Sequence, residues 1–158
     1  MIKRIPYYVS AVFFALVLVT SYAVLTSAGD DGVIRTKSVY PLRETVARLK
    51  QDIADKGIMF FSEVDQSKLA AGAGITLQPS VLLTFGNPPL GTQFITSNPV
   101  AGLDWPVRLL VFENEKGEVW TAYTDFGWIA RRHGIKDRDA QFKTASGVAA
   151  SITSSVTK

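Results

Sequence analysis

Hydrophobic and polar positions divide the chain into three regimes. From Ile5 to Ala28 there are 24 positions without a charged residue. From Val33 onward, short apolar runs alternate with polar stretches broken by Gly and Pro. From Phe142 the apolar positions recur at intervals of three and four.

The middle regime reads as alternating strands and helices. Val33 to Val39 alternates as a strand with one exposed face. Pro41 then opens a helix where its missing N–H costs nothing, and Leu42, Val46, Leu49 and Ile53 share one face, with Glu44 and Arg48 placed for an i,i+4 pair. Lys56-Gly57 stops it. Ile58 to Val64 is a second strand, and Asp65 is set to cap a short helix over Gln66 to Ala73. The near-continuous apolar run Val81 to Phe85 predicts a central strand covered on both faces. Between Pro88 and Trp105, Gly91-Thr92 and Pro99 can each open a helix. Trp105 to Glu113 reads as the next strand, and Val107–Phe112 with Glu118–Tyr123 predicts a hairpin turning at Glu115-Lys116-Gly117. A short helix through Trp128 and Arg131-Arg132 ends at His133-Gly134. Phe142, Ala145, Ala149, Ile152 and Val156 predict a last amphipathic helix.

The pattern defines an α+β fold, a mixed sheet of about five strands with helices mainly on one face, preceded by one N-terminal transmembrane helix. Residues 1–32 form the anchor or signal peptide with its hinge, residues 33–136 the α+β domain and residues 137–158 a C-terminal helix or tail. A hydrocarbon core takes about 20 apolar residues as helix, a signal-peptide core about 7 to 15. Length favours an uncleaved anchor, although Thr26-Ser27-Ala28 before Gly29 would serve as a cleavage site. Lys3 and Arg4 keep the N-terminus cytoplasmic, which places a single-pass protein in the inner (plasma) membrane with its domain periplasmic or extracellular.

Charge and composition narrow the partners. Setting Lys3 and Arg4 aside leaves 15 of the 17 basic residues against 14 acidic ones. That mixed surface argues against nucleic acid. Cysteine is absent, which excludes disulfides, thiolate chemistry and Cys-ligated metal. No metal or cofactor is expected.

Six residues carry what chemical potential remains: Asp65, Asn87, Asp104, Arg108, Tyr123 and His133. His133 is the single histidine, suited either to the end of a helix or, with Asp65, Asp104 or Asp125, to a weak metal site or a base–orienter pair. Asn87 lies in Gly-Asn-Pro-Pro, which is turn chemistry but also the end of a buried strand, where sites gather. Arg108 sits among apolar residues and needs a carboxylate, Asp104 or Glu63, unless it binds an anion beside Asn87 and Tyr123. Gly86 and Gly91 lack phosphate-loop spacing, and no serine has a nucleophile-elbow setting.

From Val81 onward the residues resemble a known family. Leu82-Leu83-Thr84-Phe85-Gly86-Asn87-Pro88, Gly91-Thr92, Leu103-Asp104-Trp105-Pro106-Val107-Arg108-Leu109-Leu110-Val111, Val119-Trp120 with Tyr123 and Asp125, and Arg132-His133-Gly134 are similar to the prokaryotic domain of unknown function 302 (DUF302) family. The resemblance covers roughly Lys37 to Ile135. It implies a compact α+β domain without an established activity, in a family some of whose members associate as dimers. The family commonly has Asp-His where this chain has Asp65-Gln66, so any activity resting on that histidine is in doubt here. The expected function is a membrane-anchored binding module or accessory subunit of a membrane complex. Its expected partners are the bilayer through residues 5–28 and complex proteins or a second copy. The alternative is a small-ligand or metal-dependent enzyme with its site at the strand ends.

Overall fold

The computed structural model describes Gly29 and residues 31–158. The expected transmembrane segment, residues 5–28, lies outside them. Among the described residues no helix is long and apolar enough to cross a membrane.

The elements follow in the order β1 (Val33–Lys37), α1 (Leu42–Asp55), β2 (Met59–Asp65), α2 (Gln66–Gly72), β3 (Ser80–Gly86), α3 (Pro88–Ser97), a 3-10 turn (Pro99–Asp104), β4 (Val107–Glu113), β5 (Val119–Thr124), α4 (Phe126–Arg132) and α5 (Asp139–Ser154). Both candidate helix starts between Pro88 and Trp105 lie in helical backbone. The first helix begins three residues before Gly91, because Pro88 and Pro89 occupy its first turn, where no N–H is missed.

The sheet order is β1-β5-β4-β3-β2, and every adjacent pair is antiparallel. The expectation of a mixed sheet is therefore corrected. β1 and β2 run the same way but occupy opposite edges, so the β1-α1-β2 crossover creates no parallel pair. β3 is likewise not covered on both faces. Val81, Leu83 and Phe85 are buried in the core, whereas Leu82 and Thr84 are half-buried on the other side.

A single core lies on one face of the sheet. Leu42, Val46, Leu49 and Ile53 of α1 meet Leu83, Leu109 and Val111 of the strands and Phe142, Ala145, Ala149 and Ile152 of α5. Helix α5, with its small residues, is integral to this core. Phe94 of α3 stacks on Phe142 at 4.1 Å between ring centroids. The opposite face, bearing Leu82, Leu110, Phe112 and Trp120, contributes nothing to this core and is half-buried.

The register assigns the strand ends to two poles. One pole holds the starts of β1, β2 and β4 and the ends of β3 and β5, together with α3, the 3-10 turn and Gly29. The other holds the β4-β5 turn, α2 and the C-terminus, where the Val39 N–H donates to the Val156 carbonyl at 3.0 Å.

Candidate functional site

Asp104 is the hub of the first pole. Asn98 prepares it twice over. Its side-chain oxygen accepts the Val100 N–H at 3.0 Å and starts the 3-10 turn, while its amide donates to the His133 carbonyl at 2.9 Å. The turn that ends in Asp104 is thereby fastened to the end of α4. That helix is itself capped by Asp125, which accepts the Trp128 N–H at 2.7 Å.

Three side chains converge on the Asp104 carboxylate. His133 Nε2 lies 2.6 Å from Oδ2, Arg132 Nη1 lies 3.3 and 3.4 Å from the two oxygens, and Arg108 Nη2 lies 3.2 Å from Oδ1. Arg108 also donates to the Leu103 carbonyl at 3.2 Å. The Asp104 and His133 side chains are 3% and 4% exposed, whereas Arg108 and Arg132 are 53% and 45% exposed. A buried carboxylate requires such compensation, and these contacts fill the roughly four acceptor positions it has. The carboxylate–imidazole pair has the geometry of an oriented base. Among the described residues, however, no hydroxyl is hydrogen-bonded to His133, and no group of three His, Cys, Asp or Glu side chains is placed to hold a metal ion.

The other three candidate residues lie elsewhere. Asp65, at the far pole, accepts the Lys68 N–H at 2.8 Å and the Ser67 hydroxyl at 2.7 Å, which hold its carboxyl below the usual range. It is the cap that the sequence predicts. Tyr123 is buried on the core side of β5, and burial, helped by the charge of Asp125, pushes its phenol up to about 12. Asn87 stands exposed at the head of α3, where its side chain makes no capping bond.

Asn87 borders a second feature, a cavity of about 460 Å³ between α3, α5 and the ends of β3 and β4. Its walls include Phe85, Leu90, Phe94, Trp105, Val107 and Val148, and the exposed Lys56, Asn87, Thr144 and Ser151 border it. Trp105 is not strand, as expected, but a wall of this cavity. Its indole lies so close to Gly91 that a Cβ there would fall 1.8 Å from Nε1. Gly91 is thus needed for contact rather than for a phosphate, and a Gly 14 positions from an aromatic in sequence gives no sign of it. The volume is that of a small-molecule site, and its walls are mainly apolar.

A five-stranded antiparallel sheet with its core helices on one face, a buried Asp-His pair and an apolar cavity at one pole define a small α+β domain. The chain belongs to the DUF302 family, a domain of unknown function, whose model matches residues 34–154. The fold matches the crystal structure of an uncharacterised conserved DUF302 protein from Bacillus stearothermophilus, with a TM-score of 0.72 and 14% identity over 79% of this chain and 98% of that one. Over 114 residues, 72% of this chain, it is 34% identical to the fluoride-specific ion channel FluC 1 of Brucella suis biovar 1 (strain 1330), 45% of which is covered. The same identity holds for FluC 1 of Brucella abortus biovar 1 (strain 9-941), with 42% covered. The chain therefore spans less than half the length of the curated relatives it matches.

Proposed function

We propose that this chain is a non-enzymatic binding domain serving a membrane-located assembly, tethered by residues 5–28 and taking an apolar ligand or partner group into the cavity beside Trp105. One observation carries the reading: the titratable cluster is consumed internally, its carboxylate saturated by His133, Arg108 and Arg132, while the open space nearby is apolar. Reaction chemistry needs a group free to exchange protons or bonds with a substrate, and binding needs surface to bury. The relatives support the membrane setting. They are named as ion channels, and this domain accounts for under half of each, as expected of a module that accompanies a membrane-embedded part.

Purification from native membranes in mild detergent, with intact-mass measurement, tests this reading. The expected result is a full-length chain accompanied in fixed ratio by an integral membrane protein. A chain beginning at Gly29, soluble and alone, would overturn it.

A further inference from the structure

We propose that the pole bearing Gly29 lies against the bilayer, with Leu103 and Val100 entering the headgroup layer and Arg108, Arg131 and Arg132 facing anionic lipids. The inference rests on the anchored reading above and adds an orientation to it.

The joint is short and clamped. Four residues, 29 to 32, separate the uncharged segment from β1, and fully extended they span at most about 14 Å. Gly29 and Gly32 are held: the Gly32 N–H donates to the Gly29 carbonyl at 2.9 Å, and the Asp125 N–H donates to the Gly32 carbonyl at 2.8 Å. Gly32 has φ +70° and lies on Trp128, where any Cβ would meet the indole at 2.4 Å. An anchor ending at residue 28 therefore holds this pole close to the membrane.

A continuous line of contacts leads from the joint to exposed apolar residues. Trp128 lies against Gly32, the Arg132 guanidinium lies 5.4 Å from the Trp128 ring centroid, and Arg132 and Arg108 share Asp104. Arg108 in turn bonds the carbonyl of Leu103, which is 66% exposed, and Val100 in the same turn is 57% exposed. Cations and apolar side chains together suit the headgroup layer of an anionic membrane.

Beside Leu103 and Val100 the charge presented outward is that of Arg108 and Arg132, while farther round the pole the carboxylates of Asp55, Asp137 and Asp139 stand against Lys56, Lys136 and Arg138. Asp104 is buried beneath its two arginines, Asp125 caps α4, and Asp31 pairs with Arg35 at 2.6 Å, whereas Arg131 forms no ion pair among the described residues. Leu69, Ile75 and Leu77 form a second exposed apolar group, but they lie at the far pole, about 20 Å along the strands.

Because the sequence has no cysteine, single spin labels can be placed by Leu103→Cys and, at the far pole, Lys116→Cys, both at exposed positions. The full chain is reconstituted in nanodiscs of phosphatidylcholine with phosphatidylglycerol, and collision of each label with oxygen and with a water-soluble nickel chelate is measured. The expected result is an oxygen-to-nickel ratio several-fold higher at 103 than at 116, falling when Arg131→Gln is added or when phosphatidylglycerol is omitted. A label at 103 as open to nickel as that at 116, in chain that stays with the discs, overturns the docking and leaves the anchor standing. A label shielded from both reagents shows that a protein or a second copy covers the pole, and also overturns it. Chain that never enters the discs overturns the anchored reading and the docking together.

Discussion

At the scale of single residues, Asp104 and Gly91 have the most depending on them. Removing the carboxylate in Asp104→Ala strands an imidazole that is almost fully buried and takes from two arginines their shared partner. Breaking a buried pair in this way costs about 3–5 kcal/mol. Arg108→Ala removes a head group that is half in water and should cost at most about 1 kcal/mol. Urea unfolding should give that order for the two midpoints with the same dependence on denaturant, and equal losses would show that Arg108 carries structural weight its exposure does not suggest. At Gly91 even a methyl group meets the Trp105 indole. Overpacking of this kind costs about 1–3 kcal/mol. Gly91→Ala should therefore lower the melting temperature and shift tryptophan emission as the cavity wall moves, whereas Gly147→Ala, with open space at its Cβ, should do neither.

Among the elements, those with local causes were legible in the sequence. The α1 stripe of Leu42, Val46, Leu49 and Ile53 is buried as its spacing requires, Arg48 meets Glu44 at 2.8 Å, and Asp65 caps α2. That His133 pairs with Asp104 rather than with Asp65 or Asp125 was not legible, because 29 positions separate the two and only the docking of the 3-10 turn on α4 joins them. The sequence does offer Asp104 as a partner for Arg108, and that contact is present. Arg132, the third side chain on the carboxylate, gave no signal beyond its place beside His133. The pairing of β1 with β5 also arises from distant sequence, and it carries a pH signature. Lys37 on β1 meets Glu118 at 2.6 Å, and that ammonium, with the Asn114 amide, lowers the Glu118 carboxyl from 4.5 to about 2. With the folded value depressed, the contribution is fully present above about pH 4.5 and is lost as pH falls through about 2. Thermal melts across that window should show a shallower acid-side decline for Glu118→Gln than for the unaltered chain, and parallel curves would remove the pair from any role in holding β1.

For the whole molecule, strand direction was the feature that periodicity could not supply. Alternation tells which face of a strand is buried, but an edge position for both β1 and β2 depends on how the crossover helix spans three intervening strands. That topology separates the chain's two ends. Gly29 lies at the pole of the cavity and the Asp104 cluster, whereas the C-terminal segment is fastened at the opposite pole, where the Ser38 hydroxyl and the Val39 N–H both donate to the Val156 carbonyl and the Tyr40 hydroxyl donates to that of Lys158. A protein anchored at its N-terminus, with Lys3 and Arg4 retained in the cytoplasm, would present its C-terminus away from the membrane on the exported side. Alkaline phosphatase, which is active only after export, should therefore be active when joined after Lys158 in a bacterial host, and green fluorescent protein joined there by the same export route should stay dark. The reverse pattern would put the domain in the cytoplasm, with the cavity and the Asp104 cluster facing the inner leaflet.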